Sequence, residues 1–254
     1  GNLNQKRQDA TGSGTQTAAL AIGGRTDPGD FYDNVETYDG SSWTEGPDLN
    51  TARKTLSSGG IATAAIAFGG YKSPGTTLAT ESETYDGTSW TEGNNLGTAR
   101  AFIDGCGSST AGLAFGGRTA PAALGTTEEH HVTAMAIVAG AWASGTNFPS
   151  NLLQCASSGT PTALFVAGGY TGSPAAGTTV STTFNYDGTN WTASGALPDA
   201  EYGQRGAGTQ TAGLKIGGFP KINRVAAYDG SSWTAAPTLN TGRNSMCAIG
   251  TQTA

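Results

Sequence analysis

The sequence is short of charge and of long apolar runs. Charged residues make up 13% of its 254 residues, and 13 Lys and Arg against 19 Asp and Glu give a formal net charge of −6. No basic stripe is present to neutralise phosphates, which argues against nucleic acid as a partner. No apolar run reaches about 18 residues, so we predict no insertion into a membrane.

Cysteine and histidine are too few to suggest a metal site or a disulfide framework. The three cysteines, Cys106, Cys155 and Cys247, form an odd set without a CxxC pair. The only two histidines are adjacent, at His130 and His131. We therefore predict no metal and no cofactor, and we interpret the cysteines as small buried apolar residues.

Glycine, by contrast, is plentiful, at 40 of the 254 residues, which is roughly twice its ordinary usage or more. Disordered linkers have a similar composition, but here the aromatic residues recur at regular spacing, which linkers lack. The core must therefore be built from small side chains and a few large anchors that repeat along the chain.

One motif, Tyr-Asp-Gly-x-x-Trp-Thr, recurs along the chain. Its Asp-Gly pair predicts a tight hairpin turn, since Gly tolerates positive φ and Asp can bond its own backbone. A degraded copy at 138–142 keeps only the glycine and the tryptophan. The complete copies lie at 38–44, 85–91, 186–192 and 228–234. We interpret the tryptophans as packing anchors between repeat units rather than as sugar-stacking platforms: Trp43, Trp90, Trp142, Trp191 and Trp233.

A Gly-Gly pair closes an apolar run in each repeat, at intervals of about 50 residues. A phosphate-binding loop would need a helix to follow, and no helical periodicity follows any pair. We therefore interpret the glycines as sites where two backbones approach closely. The pairs lie at 23–24, 69–70, 116–117, 168–169 and 217–218.

Each repeat predicts four short strands. In the second repeat they cover 54–62, 63–68 and 82–85, and Trp90 opens the fourth. Four uncharged strands in a unit of about 40–50 residues are typical of a β-propeller. We predict an all-β fold, one β-propeller domain over residues 1–254. Its units are approximately 7–52, 53–99, 100–150, 151–204 and 205–242, with an extra first strand at 243–254.

The extra strand leaves the blade count open, because 239–254 repeats 3–18. The ring could close with five blades and leave this strand outside, or the strand could replace the N-terminal one. More repeats could also follow. Five blades are favoured, and six or seven are possible if the chain is part of a longer protein. Its start at Gly1, without methionine or a visible signal peptide, suggests a processed protein or a piece of a larger one.

The order of these markers resembles the kelch repeat over essentially the whole chain: an apolar strand ending in Gly-Gly, then Tyr, then Trp, then an Arg opening the next unit. The variant with Gly-Thr-Gln-Thr-Ala at 14–18, 208–212 and 250–254 is similar to kelch-like segments in virion structural proteins of tailed phages, particularly marine ones. The first resemblance implies a propeller of four-stranded blades. The second implies a structural component of a virion.

The loops after the Gly-Gly pairs vary most between repeats, and variable loops on a rigid scaffold are common binding sites. Each begins with an arginine or an aromatic residue, the types that dominate binding hot spots. We predict that they bind the partner or ligand, although they could equally be solvated connections or assembly contacts. The five residues are Arg25, Tyr71, Arg118, Tyr170 and Phe219.

Two other repeated side chains have two interpretations each. The arginines that open the units are interpreted as structural, bonding loop carbonyls or a neighbouring acid; the alternative is a guanidinium ring at the channel mouth that binds an anion. The aspartate of each hairpin is interpreted as a turn former rather than a calcium ligand. The arginines are Arg7, Arg53, Arg100 and Arg243, with Arg205 near the expected place.

Three functions remain open at this point. The favoured one is a non-enzymatic structural and interaction module exposed on a particle, such as a phage fibre, capsid or decoration component. Its partners would be other virion or surface-assembly proteins. The alternatives are an extracellular carbohydrate-binding propeller that recognises cell-surface glycans, and an enzyme with a site at the channel mouth. We predict a virion or extracellular location and name no catalytic residue.

Overall fold

The computed structural model describes residues 1–26, 29–74, 77–119, 122–132, 141–171, 177–244, 246, 248, 250 and 252. The side chains of residues 141–143 lie outside this description, as does all of Cys247. Over the described ranges every regular element is a β-strand. No helix in them is long and apolar enough to cross a membrane.

The strands are short and evenly distributed. The first half of the chain contains β1 (Thr11–Thr15), β2 (Ala18–Ile22), β3 (Val35–Tyr38), β4 (Trp43–Glu45), β5 (Arg53–Lys54), β6 (Ser57–Ile61), β7 (Ala64–Phe68), β8 (Tyr71–Lys72), β9 (Thr77–Leu78), β10 (Ser82–Tyr85), β11 (Trp90–Glu92), β12 (Asp104–Gly107) and β13 (Ala111–Phe115). The second half contains β14 (Thr127–His131), β15 (Ala141–Ser144), β16 (Leu152–Leu153), β17 (Ala156–Thr160), β18 (Ala163–Ala167), β19 (Tyr170–Thr171), β20 (Thr178–Thr179), β21 (Thr183–Tyr186), β22 (Trp191–Ser194), β23 (Arg205–Thr209), β24 (Ala212–Ile216), β25 (Val225–Tyr228) and β26 (Trp233–Ala236).

These strands form five four-stranded antiparallel sheets within the described residues, in the orders β1-β2-β3-β4, β6-β7-β10-β11, β12-β13-β14-β15, β17-β18-β21-β22 and β23-β24-β25-β26. Two small three-stranded sheets, β5-β8-β9 and β16-β19-β20, lie in the connecting loops. The predicted all-β architecture of small four-stranded sheets is confirmed, and the arrangement is propeller-like. We refer to the four-stranded sheets as the first to the fifth, in chain order.

The innermost strands of consecutive sheets lie side by side, from β1 to β6, β12, β17 and β23. All five line one shared cavity, which we call the channel, together with Ala248 and Gly250. Small residues are required there: a Cβ on Gly206 would lie 2.4 Å from the carbonyl oxygen of Ser157. The described part of the extra strand therefore lies on the channel wall, not outside it.

The recurring Asp-Gly pair forms the predicted hairpin turn. In the first sheet, Oδ1 of Asp39 accepts hydrogen bonds from the backbone N–H groups of Ser41 and Ser42, both at 2.8 Å, and Gly40 has a φ of 95°. The same bonds recur at Asp86, Asp187 and Asp229. These carboxylates therefore serve the turns. Among the described residues no cluster of His, Cys, Asp or Glu could hold a metal.

The turn aspartates make stability depend on pH. Hydrogen bonds from Thr88 and Ser89 lower the pKa of Asp86 from 3.8 to about 2. The stabilisation is therefore present above the ordinary pKa and is lost as the pH falls through the folded one. We expect Asp86→Ala to melt at a lower temperature than wild type at about pH 5, and the difference to shrink as the pH falls through about 2. Thermal melts across this range check it, with Asp86→Asn as the uncharged control. A difference that stays constant with pH would contradict the assignment.

Each Tyr–Trp pair stacks within its own sheet, and the pairs of the second, fourth and fifth sheets pack on the second strand of the preceding sheet. The ring centroids of Tyr228 and Trp233 are 4.7 Å apart, and Phe165 in the fourth sheet lies 5.5 Å from each. Trp90 and Trp233 are buried. Trp43 and Trp191 are half-buried, and the side chain of Trp142 lies outside the described residues.

The repeated arginines form buried ion pairs inside the first three sheets. Arg53 donates to a carboxylate oxygen of Glu83 at 2.7 Å, and their side chains are 0% and 1% exposed. The same guanidinium bonds the carbonyl oxygens of Gly69 and Glu81. The equivalent pairs are Arg7–Glu36 and Arg100–Glu128. A guanidinium ring for an anion is therefore wrong for these three, and the structural interpretation is correct.

Candidate functional site

One end of the channel has an unusual backbone. Where each sheet begins, the entering residue has a left-handed conformation, with φ between 52° and 69°. Such conformations are costly for non-glycine residues and cluster at functional sites. Backbone hydrogen bonds join neighbouring members: the N–H of Thr55 donates to the carbonyl oxygen of Asp9, and the N–H of Phe102 donates to the carbonyl oxygen of Thr55. We call these five residues the mouth ring: Asp9, Thr55, Phe102, Gln154 and Gly203.

Four residues of the mouth ring, all except Gly203, line a small polar recess. Asp104 and Arg205 line the same recess. Burial raises the pKa of the Asp104 carboxyl, and the charge of Arg205 partly opposes that rise. Cys155 donates its thiol hydrogen to Oδ2 of Asp104 at 3.3 Å. Burial raises the pKa of Cys155 well above its usual value, so this thiol stays protonated and unreactive.

Loop residues extend this site outward beside the mouth ring. Arg25 donates to Oδ2 of Asp9 at 2.7 Å. The ammonium of Lys54 lies over the ring of Phe31, 4.4 Å from its centroid, and 5.8 Å from that of Tyr71. Burial, and then the nearby charge of Arg25, lower the pKa of Lys54. Cations and aromatic faces therefore alternate along this edge of the mouth.

Arg118 continues the alternation. Its guanidinium lies 4.8 Å from the ring centroid of Phe102 and 5.9 Å from that of Tyr71. It also donates to the hydroxyl oxygen of Tyr71 at 2.7 Å. The rings of Tyr71 and Phe102 meet edge to face at 6.0 Å. Arg118 is thus held in one orientation by a stacking contact and a hydrogen bond, as a recognition side chain should be.

Three aromatic rings complete the series on the far side. Tyr170 lies 5.3 Å from Tyr202, which stacks on Phe219 at 4.9 Å and an angle of 29°. Phe219 is 46% exposed, one of the few large apolar side chains at the surface. Between this group and Arg118 lies a recess of about 220 Å³, lined also by Phe102 and Gln154.

The five loop residues predicted from the sequence therefore share one face of the molecule. Arg25 reaches the mouth ring directly, Tyr71 and Arg118 contact each other, and Tyr170 reaches Phe219 through Tyr202. We call the connected surface the mouth arc; it consists of Arg25, Phe31, Lys54, Tyr71, Phe102, Arg118, Tyr170, Tyr202 and Phe219.

Sequence reasoning missed Phe31, Lys54, Phe102 and Tyr202. A positional signal for two of them was present. Phe102 lies two residues after the unit's arginine, at the mouth-ring position that precedes each inner strand. Tyr202 lies one residue before the mouth-ring position of the fifth unit, which is Gly203. These positions vary between repeats, as residues on a binding surface often do.

The adjacent histidines do not contribute to this site. His130 is buried in the third sheet, whereas His131 is exposed and contacts Glu129 at 3.0 Å. The neighbouring Glu128 is committed to Arg100, and Glu129 also accepts the hydroxyl of Tyr186. The alternation of side chains along β14 separates these groups onto opposite faces of the sheet.

Comparison with known proteins identifies the fold and no family. No protein-family model matches the chain, and no curated protein does. Among solved structures, that of YjhT matches with a TM-score of 0.76, over 97% of this chain and 88% of the YjhT chain. The two sequences are 12% identical, so the likeness concerns the fold alone.

Proposed function

We propose that the five four-stranded sheets are blades of a kelch-type β-propeller. The proposal is supported by the repeated strand order and by the shared channel between the inner strands. In a propeller, one end of every blade lies at a common mouth. In this chain the loops at that end vary most between repeats.

We further propose that the protein is a non-enzymatic binding module that uses the mouth arc, and that its partner is another protein of a virion or similar particle. The observation that carries this proposal is the preorganised series of cations and aromatic rings around the mouth ring. Arginine and aromatic residues supply most hot-spot energy in protein interfaces. Side chains already fixed by stacking lose little entropy when a partner binds.

Local charge indicates the kind of surface that would bind. The whole chain has a net charge of −6, yet the arc carries the cations Arg25, Lys54 and Arg118, of which Arg25 is paired with Asp9. A partner with acidic groups opposite these cations would gain orientation and association rate from them. The rest of the chain is net negative and would weakly repel an acidic partner, so binding at the mouth arc is favoured.

Carbohydrate is the second candidate, and one observation favours it. The recess between Arg118 and Tyr170 offers the ring faces of Phe102 and Tyr202 and the amide of Gln154. Apolar faces with a few convergent polar groups are typical of small-ligand sites. A glycan array separates the candidates. Binding of a specific glycan that is lost in Tyr202→Ala would favour a carbohydrate ligand over a protein partner.

Two arc variants test the main proposal. Arg118→Ala and Tyr202→Ala should each weaken binding of the labelled protein to its native particle by roughly 10- to 100-fold, the range of hot-spot truncations. The measurement is a binding isotherm on particles from which the protein has been stripped.

Ile61→Ala is the matched control for these variants. Ile61 is 54% exposed and ends β6, at the opposite end of the sheet from the mouth, so its removal should leave the isotherm unchanged. Loss of binding in the control together with full binding in both arc variants would contradict the proposal. A protein that occurs in its source only as a free monomer would contradict the particle partner.

A further inference from the structure

We propose that the space between the fifth and first sheets is a docking site for one further kelch-type β-meander, three antiparallel strands that complete a sixth sheet. The inference rests on the propeller proposed above, and concerns a different surface from the mouth arc. It is carried by two half-buried sheet faces, by the position of the described residues after Arg243 and by the exposure of Arg243 itself.

The first face belongs to the fifth sheet. In each of the other sheets, two alternating residues of the second strand face the next sheet and are buried, at 0% to 1% exposure. These pairs are Leu20 and Ile22, Ile66 and Phe68, Leu113 and Phe115, and Phe165 and Ala167. Their counterparts in the fifth sheet, Leu214 and Ile216, are only half-buried.

The second face belongs to the first sheet and is complementary to the first. Tyr38 is half-buried, whereas Tyr85, Tyr186 and Tyr228 are at most 4% exposed because a preceding sheet covers them. In the second, fourth and fifth sheets a Tyr–Trp pair packs against the second strand of the sheet before it. A sixth sheet placed between the two open faces would form one such interface with the fifth sheet and another with the first.

Glutamines give an independent sign of the same vacancy between sheets. In the fifth sheet, Nε2 of Gln210 donates to the carbonyl oxygens of Leu164 and Tyr186 in the fourth, both at 2.9 Å. The equivalent residue of the first sheet, Gln16, is exposed to solvent. A meander in the proposed place would offer carbonyl oxygens of the same kind to Gln16.

The described residues after Arg243 lie where the innermost strand of a sixth sheet would lie. The N–H of Gly218 donates to the carbonyl oxygen of Arg243 at 2.9 Å. The equivalent bond between the second and third sheets runs from the N–H of Gly70 to the carbonyl oxygen of Arg100, at 2.8 Å. Nε2 of Gln252 donates to the oxygen of Gly213, which repeats the bond from Gln210 to the fourth sheet. The described residues of this segment therefore follow the path of an inner strand.

Charge defines the partner further. Arg243 is exposed, whereas its equivalents in the first three sheets each hold a buried glutamate from the third strand of their own sheet. The docking meander should therefore carry a glutamate on its middle strand and a Tyr–Trp hairpin that covers Leu214 and Ile216. A second copy of the chain fits less well, because its β1 would compete with the strand that follows Arg243.

A peptide copied from this chain tests the inference. Residues 239–254 repeat 3–18, so a synthetic peptide of residues 19–50 continues the register and brings Glu36, Tyr38 and Trp43. Mixed with the full chain, it should bind one to one and raise Tm by about 5 °C or more. Hydrogen exchange at Leu214 and Ile216 should slow. A Glu36→Gln peptide should bind the wild-type protein at least about tenfold more weakly than the unmodified peptide does. The two peptides should bind the Arg243→Gln protein equally well.

A fused form guards against a peptide that binds too weakly in trans. Residues 19–50 appended after Ala254 should raise Tm and resist proteolysis if the site exists, and the appended Glu36→Gln should remove most of that gain. Absence of binding in trans together with a flexible, cleavable appended segment would overturn the proposal. A scrambled peptide that binds equally well would also overturn it, as would self-association of the free chain that covers both faces.

Discussion

Arg53→Leu is expected to lower the free energy of unfolding by about 3–5 kcal/mol, the usual cost of removing one partner from a buried ion pair. The guanidinium and the Glu83 carboxylate are both almost fully buried and 2.7 Å apart. Without Arg53 the hydrogen bonds that this carboxylate keeps within the described part of the chain come from Asn50. The carbonyl oxygens of Gly69 and Glu81 lose a donor as well. Urea unfolding followed by tryptophan fluorescence gives the value.

The fourth sheet supplies a matched control for this variant. Leu152 stands at the position of Arg53, and Phe184 stands at the position of Glu83. Both lie in or against one apolar cluster. The position of Asn50, whose N–H bonds Glu83, is occupied there by Pro149, which has no N–H to satisfy. The whole charged set is therefore replaced by an apolar set that needs no polar partner.

Transplanting that set should restore stability to the second sheet. The triple variant Asn50→Pro, Arg53→Leu, Glu83→Phe should lie within about 1.5 kcal/mol of wild type, since replacing a whole buried pair by well-packed apolar groups is often close to neutral. A triple variant as unstable as Arg53→Leu would show that the two sheets are not equivalent. A cost below about 1 kcal/mol for Arg53→Leu would show that the pair contributes little.

Trp233→Ala should cost about 3–5 kcal/mol, as expected for a buried tryptophan. Its ring is 9% exposed, stacks on Tyr228 and meets Phe165 of the fourth sheet edge to face. Its indole N–H donates to the hydroxyl of Thr183 at 2.9 Å. Truncation removes contacts across the interface and leaves that hydroxyl without its donor. Urea unfolding of the purified variant, followed by far-ultraviolet circular dichroism, measures the loss.

Trp43→Ala is the comparison for this variant. The sequence assigns all complete copies of the motif the same role, but Trp43 is half-buried because no sheet covers its outer face among the described residues. We therefore expect its truncation to cost at least about 1 kcal/mol less than that of Trp233. Equal losses at the two positions would mean that exposure does not govern the anchor, and would also weaken the inferred docking site.

The repeats made the architecture predictable because each signal is local. Gly-Gly ends the second strand, as in Gly69 and Gly70 with φ of 66° and 98°, and Asp-Gly turns the hairpin that leads to the tryptophan. In the second repeat the observed strands β6, β7 and β10 lie within or coincide with the predicted ranges. Such features depend on the few residues around them, so a sequence pattern is sufficient.

Features that depend on two distant residues were not predictable in the same way. Arg53 recurs visibly, but its partner Glu83 is 30 residues away, and only the strand register brings the two together. The left-handed conformation of Phe102 and the stacking of Tyr202 on Phe219 likewise depend on how neighbouring sheets meet. The loop residues were predicted as separate candidates, and the structure connects them through side chains that no motif marks.

Hydrogen–deuterium exchange of the protein on and off its native particle tests the central claim most directly. If the mouth arc binds the partner, exchange should slow in the loops that carry Arg25, Tyr71, Arg118 and Phe219, and around Phe102 and Tyr202. The hairpin turns at the opposite end, such as that of Asp86, should exchange at the same rate in both states. Protection confined to those turns, with the mouth arc unchanged, would contradict the proposed binding face.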